Sequence, residues 1–174
     1  MQGLVLGQPD AHSQTDEVSV ILEDDVDMER DIHDRLREVW RSLPDDWDIV
    51  FLGHCWSNET YYPALDNPEH GRPDTLRFRT ALHPSFAPKC THAYALTRTG
   101  ARRLLLYLQH TPFAYSRALD QAISWLILSG KLKAFSVVPS LVVQRKIGRS
   151  DIDTSGGGMG SLWRDHLDNG VLGS

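Results

Sequence analysis

No stretch of this 174-residue chain approaches the roughly 20 consecutive apolar residues that a membrane-spanning helix needs. Cysteine is scarce. Cys55 and Cys90 are the only two, which excludes a cysteine-built zinc site and a disulfide framework and leaves open whether the two pair with each other. Positive charge is not in excess: 18 Lys and Arg against 23 Asp and Glu give a net charge of −5 with His neutral, so a general nucleic-acid binder is not indicated. The first residues, MQGLVLGQPDAHSQTDE, lack a basic segment ahead of a long apolar one and do not follow the signal-peptide pattern. There is no internal repeat. What is present is the composition of a folded globular protein, 41% hydrophobic and 24% charged, of a length that suits one domain. The expected organisation is a flexible leader over 1–17, an α/β domain over 18–150, and a Gly-rich hinge and tail over 151–174.

Hydrophobic periodicity sets out the elements. Val18 to Leu22 is a short β-branched run that suits a strand buried on both faces. Ile32, Leu36, Val39, Trp40 and Leu43 fall on one helical face, with Arg30, Asp34, Arg35 and Arg41 on the other, and Pro44 stops the helix. Asp48 to Leu52 is a second strand, closed by Gly53. Strand, helix, strand is the sign of a parallel crossover. Residues 54–73 form a long polar excursion of the kind that is often functional, and it contains Asn58-Glu59-Thr60, a glycosylation sequon. Residues 75–82 and 92–97 read as strands. Thr99 is placed to cap a helix that turns Ala101, Leu104, Leu105 and Leu108 inward. "ALDQAISWLILSG" reads as a mostly buried helix ended by Gly130, and "KAFSVVPSLVVQ" as a strand pair or one bent strand, broken at Pro139. The expected whole is α/β with a largely parallel sheet flanked by helices.

The chemistry gathers where the first strand ends. Glu23, Asp24 and Asp25 follow Leu22 directly, and Asp27 comes next but one. Ligands of open parallel sheets bind beyond the carboxyl ends of the strands. Side chains alternate along extended backbone, so Glu23 and Asp25 share one side and Asp24 takes the other. Neighbouring carboxylates repel unless a cation neutralises them, and Mg²⁺ or Mn²⁺ commonly sits between carboxylates and a substrate diphosphate. The other reading is a helix N-terminus, with Asp25 or Asp27 as the cap and acidic residues favouring the dipole.

"VILEDDV", "DDWDIVFLG", "THAYALTRTGARRLL", the lone Asp of "RALDQAI", "VVPSLVVQ" and "RSDI" occur in that order. Together they resemble glycosyltransferase family 25, the lipopolysaccharide and collagen galactosyltransferase group, over roughly Val18 to Ile152. The resemblance implies a GT-A-like fold and transfer of a sugar, commonly galactose, from a UDP-sugar donor to a hydroxyl of a glycan or glycoprotein acceptor with inversion. It implies Mn²⁺ or Mg²⁺ as cofactor, with Glu23 and Asp25 as metal ligands and Glu23, Asp24 and Asp25 lining the donor site. It also implies a sizeable region ahead of the acidic motif that supplies much of the nucleoside pocket. Only 17 residues precede the strand that leads into the motif here, and the expectation is an N-terminally shortened domain with weak or absent UDP binding and an exposed apolar edge and face.

Further residues are weighed beside that resemblance. Asp120 matches the family's late acidic position and is the candidate catalytic base, against a capping role. Arg145, Lys146 and Arg149 could face the UDP phosphates or form a solvated strand end. His166 occupies the place of the late metal-binding His of GT-A enzymes, and His92 and His83, which flank a Pro-rich loop and a strand, are further candidates. Trp56, Tyr61 and Tyr62 could stack on an acceptor sugar, whereas Trp47 and Trp125 suit the core. "SGGGMGS" lacks the spacing of a phosphate loop and reads as a hinge. The alternative function is an inactive remnant of the same fold acting as a binding or interaction module. A Mg²⁺-dependent phosphohydrolase ranks last, since no nucleophilic Asp with its downstream Lys and acidic pair is found.

Overall fold

The computed structural model describes residues 17–65, 80–145 and 167–172. A five-stranded sheet runs in the order β1-β5-β3-β6-β4. Its strands are β1 (Val18–Leu22), β3 (Ile49–Cys55), β4 (Ala81–Pro84), β5 (Lys89–Thr97) and β6 (Ala134–Val138). A two-stranded ribbon joins β2 (Val26–Met28) to β7 (Val142–Gln144). The helices are α1 (Ile32–Trp40), α2 (Arg98–Leu108), the single turn α3 (Thr111–Ala114) and α4 (Leu119–Leu128). Among the described residues no helix is long and apolar enough to cross a membrane.

The class is α/β, but the sheet is mixed and mostly antiparallel rather than largely parallel. Only β3 and β6 pair parallel; β1 with β5, β5 with β3 and β6 with β4 are all antiparallel. The strand–helix–strand pattern correctly implies that β1 and β3 run the same way. They are not neighbours, because β5 inserts between them in the opposite sense. Apolar runs buried on both faces do not distinguish the two pairings, since helices on both sides of a sheet bury both faces either way.

Alternation along the strands feeds two cores. Val50, Leu52, Ala93, Ala95, Phe135 and Val137 face α1 and pack with Val39 and Trp47. Ile49, Phe51, Tyr94, Leu96 and Ala134 face α2 and α4 and pack with Leu104, Ile123 and Leu126. Asp48, fully buried just ahead of β3, ties α2 to the start of β6. Its carboxylate accepts both oxygens' worth of bonds from Arg103 Nη1 at 2.8 and 2.9 Å and one from the Lys133 backbone N–H at 2.9 Å.

Several expectations change. β1 is an edge strand, and Val18, Val20 and Leu22 on one of its faces are exposed rather than buried. Only Ile21 reaches a core. Leu105, Leu119 and Trp125 lie on the solvent side of their helices. The cap of α2 is Thr97, whose hydroxyl accepts from the Gly100 N–H at 2.9 Å, not Thr99. Gly53 lies within β3 rather than closing it. Gly130, at φ +68°, ends α4 as its place in the sequence indicates. Residues 66–79 and 146–166 are outside the described set, which includes most of the strand expected over 75–82.

The tail residues 167–172 pack back onto the segment that follows β1. Buried Glu29 accepts the backbone N–H groups of Asp168 and Asn169 at 2.6 and 2.9 Å. Arg35, expected on the solvent face of α1, is instead buried among Glu29, Asp31 and Asp168. Buried Asp27 accepts from the N–H of Met28 at 2.8 Å and of Leu172 at 3.1 Å, and pairs with Arg145 at 2.9 Å. Burial pulls the Asp27 carboxyl upward, but those two backbone donors and the Arg145 charge together hold it below its ordinary value of 3.8.

A depressed carboxyl stabilises the folded state above its unfolded value and loses that contribution as pH falls through the folded one. Docking of residues 167–172 is therefore expected to hold above pH 3.8 and to weaken below it. Hydrogen exchange at the Leu172 amide, referenced to a core amide such as Ile49, measures this, and Asp27→Asn should remove the pH dependence. Protection of Leu172 that tracks Ile49 at every pH would contradict the tether.

Candidate functional site

Register places the carboxyl ends of β1 and β3 and the amino end of β5 together, since Leu22 and Gly53 both lie opposite Ala93. The Glu23 N–H still donates to the His92 carbonyl at 2.9 Å, in register with the β1–β5 ladder, and β1 ends because the chain then turns at Asp24 and Asp25 into β2. Gln144, on β7, faces that turn. Its side-chain Nε2 donates to Asp25 Oδ2 at 2.9 Å and reaches Glu23 Oε2 at 3.3 Å. Glu23 and Asp25 thus converge on one donor, as strand alternation predicts. Asp24 is exposed and takes no part in the bridge. The helix-cap alternative fails for both Asp25 and Asp27: α1 starts at Ile32, behind Asp31.

Behind the carboxylates lies His92, which is 3% exposed. β5 is irregular at this point: Gly53 pairs with Ala93 but Cys55 pairs with Lys89, so extra residues of β5 bulge out between them. Cys90, at φ +63°, sits in that bulge and is disulfide-bonded to Cys55 with Cα atoms 5.6 Å apart. The His92 ring donates from Nε2 to the Val142 carbonyl at 3.1 Å, and its Nδ1 is buried without a partner among the described residues. Burial lowers the ring's pKa below its ordinary 6.5. The Val142 carbonyl and the charges of Glu23 and Asp25 oppose that fall, and His54 adds to it. The Tyr94 hydroxyl is pushed above its usual 10.0 by burial and by Glu23. Both shifts show that Glu23 acts electrostatically on the interior at this end of the sheet.

The other sequence candidates divide by position. Arg145 is close: its N–H donates to the Asp25 carbonyl at 2.7 Å, while its guanidinium engages Asp27. Lys146, Arg149 and His166 lie outside the described residues. Asp120, in the first turn of α4, is half-buried and accepts a bond from the Gln121 N–H. α4 ends beside Lys131, near the start of β6, so its first turn lies about 15 Å away toward the carboxylate end of the sheet. The Ser124 hydroxyl, one turn on from Asp120, donates to the Pro88 carbonyl just ahead of β5. Asp120 and the Glu23–Asp25 pair therefore share one end of the sheet, on separate elements.

Trp56, Tyr61 and Tyr62 are exposed on the loop after β3, and Tyr61 packs on Phe86 with ring centroids 4.5 Å apart. His83 is held by the Tyr62 carbonyl at 2.8 Å and stays away from the carboxylates' bridge. A cavity of about 560 Å³ lined by Asp48, Arg103, Tyr107, Lys131 and Lys133 opens at the opposite end of the sheet. It is remote from the acidic turn.

Sequence reasoning missed Gln144, His54 and the role of Gly53. A Cβ at Gly53 would collide with His92 Nε2 and with the Val142 carbonyl, so this glycine is what lets the His92 ring reach its acceptor. A glycine read as a strand stop was the only signal. Among the described residues no third His, Cys, Asp or Glu joins Glu23 and Asp25 as a metal-holding group. Two carboxylates nevertheless suit Mg²⁺ or Mn²⁺, which complete their shells with water and substrate phosphate oxygens.

No protein-family model matches this chain, and no curated protein matches it.

Gly53→Ala should destabilise the fold by about 1–3 kcal/mol, the usual range for overpacking a filled interior, and should shift the His92 ring signals in an NMR spectrum. Unchanged stability with unchanged His92 signals would show that the ring is not held against Gly53.

Proposed function

We propose that this protein is a metal-dependent glycosyltransferase that moves a sugar, galactose by its resemblance to glycosyltransferase family 25, from a UDP-sugar to an acceptor hydroxyl with inversion. The observation that carries the reading is the convergence of Glu23 Oε2 and Asp25 Oδ2 on the single donor Gln144 Nε2. Two oxygens of like charge aimed at one point are a better host for a divalent cation than for an amide. The buried, unfilled His92 Nδ1 at the same end of the sheet adds support.

In this reading Glu23 and Asp25 hold Mn²⁺ or Mg²⁺. When bound, the ion supplies the Lewis-acid charge that helps the UDP diphosphate depart. Asp24 lines the donor site, and Arg145 adds positive charge beside the diphosphate. Arg145 would have to share its guanidinium with Asp27. Asp120 takes the proton of the acceptor hydroxyl as that oxygen attacks the anomeric carbon. The exposed rings of Trp56, Tyr61 and Tyr62 offer the acceptor sugar stacking surfaces.

A second reading, an interaction module without turnover, is favoured by one feature. The edge strand β1 presents Val18, Val20 and Leu22 to solvent, and apolar edge strands invite pairing with another chain.

Calorimetry with Mn²⁺ should show binding to the wild type and its loss in both Glu23→Gln and Asp25→Asn. Equal affinity in all three would remove the metal and leave the interaction module. Where UDP-sugar turnover is measurable, Asp120→Asn should lower it by about 10² to 10⁴, the usual effect of losing a general base, with little change in melting temperature. Turnover near that of the wild type would place the base elsewhere.

A further inference from the structure

Asn58-Glu59-Thr60 is the one Asn-x-Ser/Thr triplet of the chain, and the fold presents it in an unusual way. The middle residue is the anchor. Glu59 is 2% exposed, and its carboxylate accepts bonds from the Ser57 hydroxyl, the Phe86 and Ala87 N–H groups and the Ser136 hydroxyl at 2.6–3.2 Å. With Glu59 pinned inward, Asn58 and Thr60 on either side of it face solvent. The Thr60 hydroxyl donates to Asn58 Oδ1 at 2.7 Å, and among the described residues none accepts from Asn58 Nδ2. Three residues upstream, Cys55 is disulfide-bonded to Cys90. Such bonds form and persist in oxidising compartments, the lumen of the secretory pathway among them, and that lumen is where sequons of this type are read.

We propose that Asn58 is an N-glycosylation site and that the protein matures in an oxidising secretory lumen. In the transfer, Asn58 Nδ2 attacks C1 of the first sugar of a lipid-diphosphate-linked oligosaccharide. The C–N bond forms, the bond from C1 to the phosphate oxygen breaks, the lipid diphosphate leaves with the electron pair, and the amide gives up one proton to the transferring enzyme. Folding then keeps the glycan outside, since Asn58 is exposed and only Glu59 is buried. The proposal does not depend on the transferase reading.

The test is expression of the full chain behind a secretory signal in a eukaryotic host, with peptide mass spectrometry on the denatured total product. That readout reports occupancy whether or not a variant folds. The expected result is a glycan on the Asn58 peptide, released by an N-glycosidase with conversion of Asn58 to aspartate. It should be retained in Thr60→Ser and lost in Thr60→Ala and Asn58→Gln. The same peptides should show Cys55 joined to Cys90. An unmodified Asn58 in wild-type chains that carry the disulfide would overturn the site. Lumenal chains with both thiols free would overturn the compartment argument.

Discussion

β5 is antiparallel to β1 on one side and to β3 on the other, and the arrangement of the candidate site depends on that double pairing. Opposite β3 its amino end departs from regular register, and this departure does two things at once. It brings Cys90 against Cys55. It seats the His92 ring over Gly53 with Nε2 on the Val142 carbonyl. On the β1 side the register stays regular, and the Glu23 N–H still donates to the His92 carbonyl where the carboxylates begin. Bulges serve such a purpose elsewhere: they re-aim a side chain.

Two groups of described carboxylates are of opposite physical kinds. Asp27, Glu29, Asp48 and Glu59 are buried, and each is filled by backbone N–H groups or hydroxyls with or without an Arg. An ionised group taken out of water needs that many donors, and in return each one ties distant segments together. Glu23, Asp24 and Asp25 are the opposite case. They lie at the surface, and the only described side-chain donor to Glu23 and Asp25 is one amide. The tethers have their donors supplied by the fold, while the surface pair has charge to offer a ligand.

This division explains how much was legible in the sequence. The convergence of Glu23 and Asp25 could be read, because the period of a strand is two and needs no tertiary information. So could α1, α4, β3 and the strand pair around Pro139, each marked by periodicity or by a breaker. The tethers could not. Glu29 finds its partners at Asp168 and Asn169, some 140 residues along the chain, and nothing local to Glu29 announces them. Arg35 fell on the polar side of the α1 pattern and is buried between Glu29 and Asp31 of its own segment and Asp168, which arrives from the tail. The direction of the sheet was hidden for a related reason. Apolar runs such as 49–52 and 134–138 report burial on both faces, not which neighbour lies alongside.

The central claim is that a divalent cation binds at the turn after β1 and not at the basic cavity beside Asp48. Paramagnetic broadening of amide signals by substoichiometric Mn²⁺ separates the two directly. The account predicts selective loss of the Glu23, Asp25, His92 and Gln144 signals, with those of Asp48, Arg103 and Lys133 unaffected. Selective loss at Asp48, Arg103 and Lys133, or no selective loss at all, would contradict it.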